Sequence, residues 1–325
     1  MRAVRCHDLT GPRSLHVDEI PAPPAPGPGE VLVDVRAAAL NFPDVLLTYG
    51  KYQFKADPPF VPGGEGAGVV RAVGASVTDL AVGDRVAFTI MNGAFAEQVV
   101  APAAAVVKLP EAVTFEVGAA TLLTYCTTLH ALEGRAALKS GETLLVLGAA
   151  GGVGTAAIEL GKVLGARVIA AASSDDKVAY CKERGADEGI NYARDDLKER
   201  AKALTHGNGA NVVYDPVGGA YAEAALRGIA WEGRYLVVGF AAGEIPKIPL
   251  NLVLLKGCQI VGVFWGSFAM REPARNRQNA ERILAWVAEG KLRPHVDGVV
   301  KFDDARGAFE RMERRDVKGK LVLVP

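Results

Sequence analysis

Between residues 30 and 110 the apolar positions fall in short runs separated by Gly and Pro: EVLVDVRA at 30–37, GVVRAVG at 68–74, DRVAFT at 84–89 and AEQVVAP at 96–102. Val-rich runs with near period-two alternation and turn formers at both ends predict strands. Residues 1–110 therefore read as a β-rich, partly closed domain. The stretch PAPPAPGPGE at 21–30 follows only 20 residues of chain, too few for a domain of their own. It predicts a polyproline-like loop inside the first domain rather than a linker.

From about residue 120 to residue 264 the texture changes to strand and helix in alternation. TLLVLG (143–148) leads into the helical GTAAIELGKVLGA, and RVIAAAS (167–173) into the helical DDKVAYCKERGA. NVVYDPVG (211–218) precedes a helix over 221–229, and GRYLVVGF (233–240) and CQIVGVFWG (258–266) close the series. Apolar strands with short helical crossovers predict an α/β fold with a Rossmann-type, doubly wound parallel sheet. Further on, Ala280, Ile283, Leu284 and Val287 make a helical stripe at i, i+3, i+4 and i+7, stopped by Gly290. A second helix over 304–314 precedes a terminal strand, KLVLVP.

Composition narrows the possibilities. Half of the 325 residues are apolar, enough for a sizeable core and about two domains. Lys and Arg together number 37, as do Asp and Glu, so no net field draws the molecule to nucleic acid or anionic lipid. The opening MRAVRCHDLTG lacks the apolar core of a signal sequence, and no uncharged apolar run reaches 18 residues. Together these predict a soluble, cytoplasmic protein without membrane or nucleic-acid partners. The cysteines Cys6, Cys126, Cys181 and Cys258 are at least 55 residues apart, and the five histidines show no HExxH or HxH spacing. No metal or dithiol motif results, and His130 in CTTLHALEG reads as an ordinary helix histidine.

The candidate chemistry centres on GAAGGVG at 148–154, directly after an apolar strand and before a helix. In a dinucleotide turn Gly151 would let the backbone approach a pyrophosphate, Gly154 would let the helix pack closely, and the helix N-terminus would offer unpaired N–H groups. Ala149 stands where the first glycine of GxGxxG falls. NAD sites place Asp or Glu at the end of the second strand, about 20 residues on, to hold the ribose 2′-OH. Here that strand ends in Ser173 and Ser174, with Lys177 a turn later, groups that suit a 2′-phosphate. Asp175 and Asp176 either fold back toward the ribose or cap the following helix.

Taken in order, LNFPDVLLTYGKYQ (40–53), FVPGGEGAGVVRAVG (60–74), GDRV (83–86), GAAGGVG, NVVYDPVG and the closing KGKLVLVP resemble the medium-chain dehydrogenase/reductase superfamily. Specifically, they resemble its zinc-lacking quinone oxidoreductase branch, over essentially the whole chain. The resemblance implies a GroES-like catalytic domain from residues 1–122 and 266–325, a Rossmann domain from 123–265, and NADPH as cofactor. It implies Ala150, Gly151, Gly152 and Val153 on the pyrophosphate, and Ser173, Lys177 and Tyr192 near the 2′-phosphate. Residues 238–241, with Gly239 and Phe240, and Val263, Phe264 and Trp265 would wall the nicotinamide. Asn41, Asp44 and Tyr52 match positions lining the substrate side, and Leu46 stands where relatives often carry an aromatic. Lys320, at the end of a charged run, belongs either to a solvated helix face or near the cofactor.

Zinc-dependent cousins carry GHE where this chain has Gly63, Gly64 and Glu65, a thiolate near Asn41 and a four-cysteine lobe near residue 95. The chain has none of these ligands, which implies a metal-free enzyme with Glu65 kept as a structural carboxylate. The function so implied is an NADPH-dependent reductase that passes hydride to a quinone or an α,β-unsaturated carbonyl, with Tyr52 or solvent as proton donor. The alternatives are an enoyl-thioester or alkenal reductase of the same fold, or a crystallin-like NADPH-binding structural protein. The apolar edge strand at 258–266 adds a homodimer to the expectation.

Overall fold

The Val-rich runs of the N-terminal third pair mainly as antiparallel strands, and the end of the chain returns to complete their sheet. The computed structural model describes all 325 residues. The chain divides into two units, Met1–Leu123 with Ala269–Pro325, and Thr124–Phe268.

In the first unit β1 (Arg2–Cys6) and β2 (Leu15–Glu19) form a hairpin. The larger sheet contains β3 (Glu30–Leu40), β4 (Glu65–Val73), β5 (Arg85–Thr89), β6 (Gln98–Pro102) and β7 (Val106–Lys108). Two strands from the far end of the chain, β14 (Val296–Lys301) and β15 (Lys320–Val324), join it in the order β14-β15-β3-β4-β5-β7, with β6 also on β3. Pairing of Leu321 with Leu40 makes the C-terminal strand part of this unit. Val31, Val33 and Val35 alternate inward from β3 and pack with Phe88, Phe95, Phe302 and Phe309. Each such aromatic contributes about 1.5 to 3 kcal/mol by leaving water. Residues 20–27 form neither helix nor strand, in keeping with the proline-rich loop.

The first helix, α1 (Phe42–Thr48), was not evident in the apolar pattern. Pro43 in its first turn and Asn41 at its N-cap start it, and the Asn41 amide donates to Asp44 Oδ2 at 2.8 Å. α2 (Phe115–Ala119) follows further along.

The chain enters the second unit through α3 (Leu122–Leu129), which runs into a π-helical stretch, His130–Arg135. Six parallel strands follow: β8 (Thr143–Val146), β9 (Arg167–Ala172), β10 (Glu188–Asn191), β11 (Ala210–Asp215), β12 (Ile229–Val237) and β13 (Gln259–Gly262). Between them run α4 (Gly152–Val163), α5 (Asp175–Glu183), α6 (Leu197–Leu204), α7 (Tyr221–Arg227) and α8 (Leu250–Lys256). Leu144, Leu145, Val168, Ile169, Val212 and Val213 are fully buried, as strands covered on both faces require.

The strand order β10-β9-β8-β11-β12-β13 reverses direction between β8 and β11. This is the doubly wound order, and such sheets bind ligands beyond the strand ends at the point of reversal. The pattern reading omitted β10, α6 and α8. β10 has four residues with one large apolar side chain, Ile190, and α6 is announced only by Asp196, whose carboxylate accepts the Glu199 amide at 3.0 Å.

Beyond α8 the chain continues as α9 (Trp265–Arg271), α10 (Pro273–Ala288) and α11 (Ala305–Glu313). Phe309 of α11 meets Phe95 edge to face at 5.8 Å. No helix is long and apolar enough to cross a membrane.

Candidate functional site

The turn from β8 to α4 lies at the reversal point of the parallel sheet. Gly148 takes φ +56, and the Gly151 amide closes the turn on Gly148 O at 3.0 Å. α4 then begins at Gly152 with Gly151 as N-cap and no side-chain cap, so the amides of its first turn face outward without a side-chain acceptor. The helix dipole adds partial positive charge there, the setting for a phosphate. A Cβ on Gly154 would stand 2.4 Å from Gly148 O and 2.6 Å from Ala149 Cα, so only glycine allows the helix so near the loop. A Cβ on Gly151 would meet nothing nearer than Gly148 O at 3.4 Å, leaving that face open toward a ligand. Ala149 fills the first glycine position with its methyl fully buried, and Ala150 is buried behind Gly152 and Val153, which are half-buried.

At the end of β9, Ser173 is exposed and Ser174 caps α5 by accepting the Lys177 amide at 3.3 Å. Asn191 on β10 pairs with Ala172, and the Tyr192 amide donates to Ala172 O at 3.0 Å, so Ser173 and Tyr192 leave adjacent strand ends side by side. The Tyr192 ring lies 4.3 Å from that of Tyr221. Asp175 Oδ1 accepts from Asn191 Nδ2 at 3.0 Å, and Oδ2 pairs with the Arg194 guanidinium, also at 3.0 Å. The carboxylate that could have turned to a ribose is therefore held on the β10 side with its charge matched. Arg194 was not singled out in the sequence, because nothing local ties it to a residue 19 positions earlier.

The two segments expected to wall a nicotinamide are brought together by the sheet. Val263, just past β13, donates its amide to Val237 O at 2.9 Å, next to residues 238–241. Gly239 and Phe240 are half-buried, Val263 is buried, Phe264 is 50% exposed, and Trp265 opens α9.

In the first unit a buried polar cluster gathers residues from three parts of the chain. Glu65, fully buried at the start of β4, accepts from Asn41 Nδ2 at 2.9 Å, from Lys320 Nζ at 2.8 Å and from the Leu123 amide at 2.8 Å. Lys320 also donates to Asn41 Oδ1. Asp44 accepts the Asn41 and Gly63 amides at 2.8 and 3.2 Å. Burial raises its carboxyl to about 7, against the pull of the Asn41 amide and the Lys320 charge. Asn41 and Asp44 thus keep their polar atoms on protein partners, and Lys320, buried at 4% exposure at the start of β15, does not belong to a solvated helix face. The ion pair between residues 255 positions apart has no signature in the sequence.

Tyr52 differs from these. It is half-buried, its ring stands 6.1 Å from Phe54, and its hydroxyl makes no hydrogen bond within the chain. Burial, and then the Asp44 charge, raise its phenol above the usual value, so it stays protonated at neutral pH. The Lys320 ammonium occupies the space between Asn41 and Glu65, and nowhere do three His, Cys, Asp or Glu side chains gather as a metal site.

Residues 27–111 match the alcohol dehydrogenase GroES-like domain family and residues 152–286 the zinc-binding dehydrogenase family. The chain is 39% identical over 325 residues to quinone oxidoreductase-like protein 2 homolog of Nematostella vectensis, covering 99% of this chain and 88% of the relative. Among solved structures, Escherichia coli quinone oxidoreductase complexed with NADPH superposes with a TM-score of 0.94 at 28% identity, covering 100% of both chains. A 2-haloacrylate reductase superposes with a TM-score of 0.87 at 27% identity, covering 100% of this chain and 99% of the other.

Proposed function

Because the chain belongs to the zinc-independent quinone oxidoreductase branch of the medium-chain dehydrogenase/reductase superfamily, we propose that it is an NADPH-dependent, metal-independent reductase of quinones or α,β-unsaturated carbonyls. The observation that carries this reading is the uncapped N-terminus of α4 behind a Gly148 to Gly154 turn, at the reversal point of the sheet. Its open amides and missing side chains suit a pyrophosphate. The bound dinucleotide supplies the hydride.

The chain's own residues do the rest. Ser173, Lys177 and Tyr192 take the 2′-phosphate, while Asp175 is withheld from the ribose by Asn191 and Arg194. Residues 238–241 with Val263, Phe264 and Trp265 give an apolar wall that excludes water from the reacting ring. Tyr52, protonated and with its hydroxyl unengaged, donates the proton to the oxygen that becomes negative. Asn41, Asp44, Glu65 and Lys320 hold α1 and the loop that carries Tyr52.

The test is NADPH or NADH oxidation by the purified protein with benzoquinones, 2-alkenals and enoyl-thioesters, before and after chelator treatment. Faster turnover with NADPH, unchanged by chelator, is expected, and a zinc requirement or an NADH preference would overturn the reading. The similarity to a 2-haloacrylate reductase favours the activated alkene as a second substrate class. Tight NADPH binding with no turnover on any of these would instead mark a structural, crystallin-like role.

We also infer a homodimer and a cytoplasmic location. β13 is the open edge of the parallel sheet, with Ile260 at 40% exposure and Leu250, Leu254 and Leu255 of α8 at 76, 78 and 69%. An apolar edge of this kind calls for a cover. Light scattering that gives a monomer at micromolar concentration would count against it. Four buried cysteines, none of them in a disulfide, suit a reducing compartment.

A further inference from the structure

Asp215 closes β11 at 3% exposure and has no cation beside it. Its Oδ1 accepts the amides of Val217 at 2.7 Å and Gly218 at 2.9 Å, and its Oδ2 accepts the hydroxyl of Tyr235 from the neighbouring β12. Burial pushes the carboxyl up, and the tyrosine hydroxyl and the two amides hold it down. A buried carboxylate without a cation depends on its hydrogen-bond donors, so the Val217 and Gly218 amides and the Tyr235 hydroxyl are held to Asp215.

What it holds is the turn at 216–219, which is packed on two sides. On one side Val217 Cγ2 lies 2.7 Å from where a Cβ on Gly148 would stand, so the valine fills the space left by the first residue of the GAAGGVG turn. On the other, Gly218 at φ +66 leaves only 2.9 Å between its own Cβ position and Phe240 Cδ1. Backbone bonds join the same two segments: Val238 to Asp215 O at 2.9 Å, Ala241 to Pro216 O at 3.0 Å and Ala242 to Val217 O at 2.8 Å. The loops after β8, β11 and β12, three consecutive strands of the sheet, thus meet through one turn fixed by one carboxylate.

We propose that Asp215 and Tyr235 are positioning residues that lock the phosphate-side loop at 148–151 to the 238–241 segment, setting the separation at which the two ends of a dinucleotide are held. The proposal rests on the reading that this unit binds NADPH, so its first test does not involve the cofactor. Hydrogen exchange in the unliganded full-length chain is compared between wild type and Tyr235→Phe, which keeps the ring and removes the hydroxyl. Faster exchange is expected in the 216–219 turn, in 238–241 and in 148–151 together. Loosening of the turn alone, or of nothing, overturns the coupling.

A second measurement compares binding of NADPH with that of 2′,5′-ADP, which has the adenosine 2′- and 5′-phosphates and lacks the second phosphate of the pyrophosphate and the nicotinamide half. One weakened hydrogen bond to a carboxylate corresponds to on the order of a 10-fold change. Tyr235→Phe is expected to weaken NADPH by about that factor and to leave 2′,5′-ADP within about 2-fold. Equal loss for both ligands with a lower melting temperature would mean a merely structural pair and overturns the proposal. If Tyr235→Phe does not fold, Val217→Ala, which removes the wedge against Gly148, is expected to give the same split, and no split overturns it. A wild type that binds neither ligand is a failure of the NADPH reading, and the exchange comparison still decides the coupling.

Discussion

The two units fasten their sites with opposite kinds of interaction. In the second, the glycine turn after β8 and the turn after β11 are held by backbone amides, glycine close approaches and hydrogen bonds to the single carboxylate of Asp215, without an ion pair. In the first, the start of α1 is held by Asn41 and Asp44 and by the buried Glu65–Lys320 ion pair, groups brought together by the pairing of β15 with β3 and of β3 with β4. The first arrangement depends on close approach and on hydrogen bonds between neighbouring strand ends. The second is strong because it is buried, and for the same reason it is vulnerable to losing one partner.

The largest expected effect falls on the charged cluster. Lys320→Met would leave Glu65 buried without its cation and destabilise the chain by about 3 to 5 kcal/mol, read by denaturant melts of the unliganded protein. Pairing it with Glu65→Leu should recover much of that loss, since no lone charge then remains. A double variant as unstable as the single one would show that hydrogen bonding to Asn41 and Leu123, and not the charge, holds the cluster.

Next comes pH. The Asp44 carboxyl titrates at about 7 in the folded chain against 3.8 for the ordinary group, so the folded state keeps its proton longer. The stability this group contributes is intact below about pH 4 and is lost as pH rises to about 7, on the order of 2 to 4 kcal/mol in all. The melting temperature of wild type should therefore fall over that window relative to Asp44→Asn, which cannot titrate. Parallel curves would mean that the Lys320 charge already keeps Asp44 ionised.

In the second unit the effects are on binding and smaller. Lys177→Ala should raise the KM for NADPH roughly 10 to 150-fold, the worth of a charge-assisted bond of about 1.5 to 3 kcal/mol, and leave NADH nearly unchanged. Equal weakening of both cofactors would make Lys177 a residue of the fold. The smallest change is expected from Arg194→Ala, which breaks an exposed pair worth about 0 to 1 kcal/mol. It should leave the melting temperature in place and narrow the preference for NADPH over NADH by freeing Asp175. An unaltered preference would remove Asp175 from the account of cofactor choice.

This contrast also explains what could be read in advance. The parallel sheet was legible because runs such as TLLVLG and RVIAAAS are apolar on both faces, and the glycine turn because GAAGGVG sits between a strand and a helix. Elements with a weak local pattern were missed: β10 has one large apolar residue, and α1 depends on a cap and a proline rather than on a stripe. Asn41, Asp44 and Tyr52 were grouped by resemblance as one substrate-side set, whereas burial and hydrogen bonding separate Tyr52 from the other two.

By itself, then, the order of residues determined the class of fold, the family likeness and the place of the glycine turn between β8 and α4, because hydrophobic period and glycine spacing act over a few residues and survive in any context. Only the tertiary structure decided that Lys320 neutralises Glu65, that Arg194 holds Asp175, and that Asp215 ties three strand ends through Tyr235. Those pairings join residues 255, 19 and 20 positions apart, and a charge finds its partner through the strands that carry both, not through its neighbours in sequence.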